Sequence, residues 1–599
     1  MGTRFYSFGP FQLDLEAQVL LRDGQTLPLK PKVFDVLAVL VANSGRVVYK
    51  DELMKQVWAD SIVEEGNLTV SIFEIRRALG GNSVGHKYIE TIARRGYRFV
   101  GRVTEATTLS ALQHKKSRGA GSAQTHMSGA VDGRSRASKG TIAVLPFKSI
   151  GATTNEYLGL GMADALITRL SNLRKVTVRP TSSVRKYTGA QDPVLAGRDL
   201  GVEWVLDGSV QKSGKRIRVT VQLVNVSDGA LLWAEKFDEK FTDIFAVEDS
   251  ISEQAANALA PKLTGEEKRL LAKRYTENPN AYESYLKGRY FFDKKTIDGC
   301  KKAIQYLEVA LKADPKFALA YAGLADCYDW LRICNVLNSK EANHKTERAV
   351  LNALELDSEL AEAHASLGLL RTRQWDWSSA EIEFQKAIEL NPNCSRTLSG
   401  YAIYLLEMDR INDALTEIRK AQNLNPLSLM VNATVGSVLY FSRQYDEAIE
   451  QAYQTLELDA DFAVASVCLG FAYEAQGRYD DAAIAYKRAR KGLRHTPELL
   501  ACQGRLDALA GRTDKALVAI DELTRLSTER CVQSNFIALI YAALEEKDEA
   551  FYWLERAYTE HDTDLALLKV DPRWDCLRAD RRFASLLSRV GLVNTGLPT

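Results

Sequence analysis

The period of the hydrophobic positions changes along the chain, and each change marks an element. Residues 4–29 alternate apolar and polar around turns at Gly9-Pro10 and Asp23-Gly24, which predicts a small antiparallel sheet. Pro31 then opens a helix at a position where its missing N–H costs nothing, with Phe34, Leu37, Leu40 and Val41 inward. Asp51 and Glu52 open a second helix, with acid at the positive end of its dipole. Leu68, Ile72, Ile75 and Leu79 form one apolar stripe on a third helix, Asn67 to Leu79. Its opposite face carries Val70, Phe73, Glu74 and Arg77, with Thr69 and Arg76 on the flank. Two runs of β-formers, Tyr88–Ile92 and Tyr97–Val100, then flank the turn Ala93-Arg94-Arg95-Gly96. Gly96 is expected to supply a positive φ there.

Periodicity stops at residues 104–140, where Ser, Gly and Ala dominate, as in a flexible linker. From Thr141 to about residue 275 short strands (IAVLPF, VTVRP, VEWVLDGSVQ, IRVTVQLVNV, ALLWAEKF) mix with amphipathic helices at Tyr157–Leu173, Leu195–Leu200 and Ile244–Leu263. The last three of those strands are expected to pair antiparallel. This stretch resembles the TolB-N-terminal-like α/β domain. Gly159-Leu160-Gly161 lacks the third glycine of a dinucleotide fingerprint, since Asp164 stands there. Ser213-Gly214-Lys215 lacks the first glycine of a P-loop, so both are read as ordinary turns.

Residues 276–570 are a repeat array. Alanines fall at 380, 414, 448, 482, 516 and 550, every interval being 34 residues. Small residues keep step at Gly368, Ala402, Gly436, Gly470, Gly504 and Ala538, and bulky ones at Phe384, Ile418, Tyr486, Ile520 and Leu554. Small residues recurring at that period where paired helices cross identify tetratricopeptide repeats. Two earlier units around Ala303/Ala310 and Ala320–Ala353 bring the expected number to eight, in one superhelix. Residues 571–599 are expected to be a capping helix and tail. The fold class expected is therefore multidomain: an α+β winged helix-turn-helix (1–103), a linker, an α/β sandwich-like domain (141–275), and an all-α superhelix.

The outward face of the Asn67–Leu79 helix mixes a β-branched residue, an aromatic and arginines, which suits a DNA major groove. The competing reading packs Val70 and Phe73 inside the same domain. A basic hairpin tip following such a helix decides for a winged helix, the wing fixing the register that the helix reads. LKPKVFDVLAVLVANSGRVVYKDELMKQVW, the ending IRRAL and the wing YIETIARRGYRFVG resemble the winged-helix domain of OmpR/PhoB-type transcription factors. The resemblance implies a helix in the major groove and a basic wing residue in the minor groove. The wing slot that is often arginine is Ala93 here, which passes that role to Arg94 or Arg95. The DNA-binding residues expected are Asn67, Thr69, Val70, Phe73, Arg76, Arg77, Arg94, Arg95 and Arg98. The loop Ala59–Glu65 corresponds to one that can touch RNA polymerase in that family.

Charge supports this picture. Lys plus Arg against Asp plus Glu is 14 against 11 in residues 1–103, 6 against 2 in 104–140 and 19 against 16 in 141–275. It reverses to 39 against 48 in 276–599, so excess base lies on the expected DNA side. The eight cysteines all fall in the second half with no CxxC pair, as reduced core thiols. No catalytic triad, metal-binding histidine pair or cofactor motif assembles, so no enzyme, metal or cofactor is expected. The acid pairs Asp480-Asp481 and Glu545-Glu546 are read as solvated turns between repeats. No apolar run reaches membrane-helix length and no signal peptide opens the chain, which points to the cytoplasm. No receiver domain precedes the winged helix in this sequence, so a signal is expected from the carboxy-terminal side.

Together these readings predict a one-component, sequence-specific transcriptional regulator. Its expected partners are double-stranded DNA, a protein, peptide or small ligand on the superhelix, and a second copy on DNA. The alternatives are a scaffold whose winged helix binds protein, and a cyclase-associated signalling protein.

Overall fold

The computed structural model describes residues 5–15, 17–22, 25–27, 29, 31–58, 68, 71–72, 75–76, 78–79, 88–92, 95–106, 140–150, 156–171, 173, 176–187, 192–259, 264–294, 296–334, 336–493, 496–528 and 532–593. They divide into two compact units, residues 1–138 and 139–599.

In the first unit, β1 (Phe5–Phe8), β2 (Phe11–Asp14), β3 (Val19–Arg22) and β4 (Gln25–Leu27) form the expected meander. Two helices, α1 (Pro31–Ala42) and α2 (Lys50–Val57), are separated by β5 (Val47–Tyr49). The wing strands β6 (Ile89–Ile92) and β7 (Gly96–Phe99) pair with β5 in the order β5-β7-β6. A further strand, β8 (Thr104–Ala106), pairs antiparallel with β1, so the first residues assigned above to the linker belong to this sheet. The rest of that linker lies outside the described residues. Phe8, Phe11, Tyr88 and Phe99 lock the meander to the wing, with Phe8 and Phe99 edge to face at 5.0 Å.

The second unit opens with a mixed sheet. Strands β9 (Gly140–Val144), β11 (Val176–Val178) and β12 (Trp204–Ser213) run parallel, while β13 (Arg216–Asn225) and β14 (Leu231–Lys240) continue it antiparallel. The short strand β10 (Lys148–Ser149) joins β12. The order is β11-β9-β12-β13-β14, the last three being the antiparallel half expected. Helix α3 (Glu156–Ser171) packs against this sheet, and a helix at Ile244–Leu259 follows it.

Among the described residues eight helix pairs follow, the first at Pro279–Asp293 and Ile297–Ala313, the last at Ser534–Ala543 and Lys547–Thr559. The alanines at 380, 414, 448, 482, 516 and 550 are all buried, as close helix crossings require. A residue with positive φ recurs with the same 34-residue spacing at the turn inside each of the last six pairs: Trp375, Asp409, Arg443, Gly477, Gly511 and Glu545. A side chain in this conformation costs about 1–2 kcal/mol relative to glycine. Asp480 and Asp481 are not in a turn: they occupy the first turn of the helix Tyr479–Ala489, where the dipole favours them. Among the described residues four cysteines are buried, whereas Cys576, in the short 3₁₀ turn Pro572–Leu577, is exposed.

The change of architecture near residue 275 is not a gap in packing. One hydrophobic core runs from Ile142 to Leu370. Arg179 donates to the carbonyls of Asn423 and Leu424 at 2.8 and 3.0 Å and to those of Leu200 and Gly201. One guanidinium thus caps two helix ends. Asn393 Nδ2 donates to Val176 O at 3.2 Å, and Ser183 Oγ to Asn425 Oδ1 at 2.5 Å, completing the clamp.

Two tests follow from this packing. A Cβ on Gly470 would stand 2.2 Å from the Tyr486 ring, whereas on Gly436 the nearest atom, Gln451 Cγ, is 3.9 Å away. Thermal denaturation should show Gly470→Ala destabilising by about 1–3 kcal/mol through overpacking. Gly436→Ala should stabilise by about 0.5–1 kcal/mol, since helical glycine loses more entropy on folding. Burial also pushes the Glu407 carboxyl up to about 8, Arg373 opposing and Asp564 adding to the shift. A carboxyl raised in the folded state gives its full stability below its ordinary range and loses it as pH rises through the folded value. Glu407→Gln should therefore flatten the fall in melting temperature between about pH 5 and 8.

Candidate nucleic-acid interface

The interface is built on a stripe of leucines and isoleucines. Leu68, Ile72 and Ile75 are fully buried and Leu79 nearly so, packed with Leu37, Leu40, Leu53 and Val57 of the two preceding helices. Residues 68, 71, 72, 75, 76 and 78 have helical backbone. Seating this stripe fixes which way the helix turns its other face, by the geometry of 3.6 residues per turn. Of the residues singled out above, Asn67, Thr69, Val70, Phe73, Arg77 and Arg94 lie outside the described residues, as do Ala93 and the loop 59–65.

The three that are described occupy different places. Arg76 is half-buried, and its Nη2 donates to Ile89 O at 3.2 Å, tying the helix to the first wing strand. Arg98 stands opposite Glu90 across the wing, their charges 3.6 Å apart and both partly exposed. Arg95 is exposed at the turn. Its N–H donates to Ile92 O at 2.9 Å, and its carbonyl accepts from Lys50 N at 3.1 Å, so the tip is anchored to the start of α2.

Gly96 departs from expectation. Its φ is not positive; the missing side chain is needed because a Cβ would lie 1.9 Å from the carbonyl oxygen of Val48. The glycine therefore lets β7 close onto β5. Tyr97 and Phe99 point inward and are fully buried, so the wing is rooted in the core.

Two neighbouring cations are engaged in structure. Arg46 Nη2 pairs with Glu52 at 2.5 Å, and this hydrogen bond holds the Glu52 carboxyl below its usual range. Lys32 Nζ donates to Val57 O at 2.6 Å, at the carboxy end of α2. Pattern reading missed Tyr49, which is 52 % exposed beside the wing, opposite Gly96. An aromatic in a strand is ordinarily read as core, but Tyr49 is the last residue of the edge strand β5 and is exposed.

Residues 24–99 match the family described as "Transcriptional regulatory protein, C terminal". The chain is a DNA-binding transcriptional regulator. Residues 137–254 match "HilA/YgeH-like transcriptional regulator, second domain". The chain is 24% identical to the transcriptional regulator HilA of Salmonella typhi over 460 residues, 75% of this chain and 76% of that one. It is 39% identical to the transcriptional activator CadC of Escherichia coli over 80 residues, 13% of this chain and 16% of that protein. A putative adenylate cyclase 3 of Rhizobium meliloti shares 31% identity over 235 residues, 39% of this chain and 40% of that protein. The likeness along most of the regulator's length is to HilA. A tetratricopeptide repeat protein from Parabacteroides merdae is 16% identical, covering 44% of this chain and 98% of that one, with a TM-score of 0.31. Among the described residues no helix is long and apolar enough to cross a membrane.

The close approach at Gly96 generates a test. Gly96→Ala should part β7 from β5 and lower the melting temperature of the first unit, with DNA affinity falling in parallel. Circular dichroism and fluorescence anisotropy on the full chain measure both.

Proposed function

We propose that the regulator reads a specific promoter sequence as a one-component factor in the cytoplasm, with the tetratricopeptide array as its sensor or protein-interaction module. The observation that carries this reading is the anchored wing: a buried stripe beneath the helix, Arg76 joining helix to wing, and Arg95 exposed at a tip fixed to α2. Such a frame holds a helix and a hairpin in fixed register, as groove reading requires. In this reading Asn67, Thr69, Val70, Phe73 and Arg77 meet base edges or phosphates in the major groove. Arg94 or Arg95 enters the minor groove, with Arg98 beside it. Arg76 acts mainly by positioning the helix against the wing.

The loop 59–65 is proposed to meet RNA polymerase, and two copies to bind repeated half-sites as a homodimer. A protein, peptide or small ligand on the array would alter the spacing of the two winged helices.

The test is electrostatic. Titration of the full chain onto its own upstream DNA at several salt concentrations should give a steep fall in affinity. Replacing Arg94 and Arg95 by alanine should weaken binding and reduce the log–log slope by about 0.9 for each phosphate that is no longer neutralised. An unchanged slope and affinity would remove the wing from the interface.

A further inference from the structure

The carboxy-terminal segment does more than cover the last repeat. The helix Arg581–Val590 does cap it, through Phe583 and Leu586 packed in one core with Phe551 and Leu554. Residues 561–577 share that core through Leu565, Leu568, Trp574 and Leu577, and bond to Asn535 of repeat eight through Asp562 and Asp564. They also reach back across repeats three to six.

Their partners are specific. The His561 ring stacks on Trp375 at 3.8 Å, and its Nε2 meets Arg373 O at 3.1 Å. Lys569 pairs with Asp409 at 3.5 Å. Asp575 receives both Nη groups of Arg443, at 2.7 and 2.8 Å. Between these points Val570 is buried in the core of repeats three to five, and Arg573 lies 4.6 Å above the Phe471 ring.

Trp375, Asp409 and Arg443 are three of the positive-φ turn residues spaced by 34. In repeats six and seven the same position is Gly477 and Gly511, the residue that conformation favours. Repeats three, four and five carry a side chain there, and each of the three touches the 561–577 segment. Glu545 holds the position in repeat eight and makes no hydrogen bond or ion pair with that segment among the described residues. Local strain retained where a side chain is used marks a functional role.

We propose that residues 561–577 are an internal ligand of the superhelix, a latch held by Trp375, Asp409 and Arg443. It detaches without unfolding of the repeats and gives up its seat to a partner segment of the same chemistry. That chemistry is a short run of apolar residues flanked by aspartates, which Leu567, Val570, Asp571 and Asp575 supply in cis. The proposal rests on the reading of the array as an interaction module, and it makes the array self-occupied in the resting regulator.

Glycine substitution at the turn position separates a clasp from a mere turn. In the full chain, Trp375→Gly with Arg443→Gly should raise amide hydrogen exchange across 561–577 roughly tenfold, while repeats three to five stay protected. Glu545→Gly, which relieves strain at a turn without a clasp, should leave that exchange unchanged and raise the melting temperature. A fluorescent peptide of residues 560–578 should bind a chain whose own segment is loosened by His561→Ala with Asp575→Ala, which leaves Trp375, Asp409 and Arg443 in place, and not the parent chain. Unchanged exchange in the double variant, or an equal drop in protection across repeats three to five, would overturn the latch. Exchange that rises while the peptide fails to bind would overturn the exchangeable seat. DNA titration of the same variants reads the array's coupling to promoter binding separately, so failure there leaves the latch result intact.

Discussion

A pair of helices with one apolar face cannot bury that face alone, and most of this molecule is arranged around that constraint. Within each repeat the paired helices close on small residues, of which Gly470 against the Tyr486 ring is the tightest case, and the pairs then stack on one another. The two ends of such a stack need different solutions. At the amino end the mixed-sheet domain supplies one, its core continuing without interruption into the first repeats. At the other end Phe583 and Leu586 close the last pair.

Polar bonds then set what apolar burial leaves free. Arg179 satisfies carbonyls at the ends of two helices from different parts of the chain, an arrangement that fixes orientation as well as distance. In the winged helix the same division holds. Leucines and isoleucines seat the third helix, and the Arg76 bond to Ile89 O fixes its relation to the wing. The backbone of the exposed Arg95 is tied on both sides, to Ile92 and to Lys50.

Much of the fold could be read from spacing. The stripe Leu68, Ile72, Ile75 and Leu79 lies inward as its period implied, and the 34-residue register gave eight helix pairs in the expected order. What spacing could not show was the meeting of distant segments. Nothing in the local pattern of Thr104–Ala106 reveals that it pairs with β1. Gly96 was legible as a required glycine but for the wrong reason, because close approach of two strands leaves no local trace while a turn does. The bond from Arg76 to the first wing strand could not be seen on the helical wheel, since a wheel has no wing beside it. The turn residues Trp375, Asp409 and Arg443 were invisible as a set, because they share a conformation and not a chemistry.

The uninterrupted core from Ile142 to Leu370 has a genetic consequence. A chain broken near residue 275 would yield two fragments, each with a raw apolar surface that only the other can cover. Rearrangements that transplant these repeats between genes are therefore expected to carry the mixed-sheet domain with them, as a single heritable block.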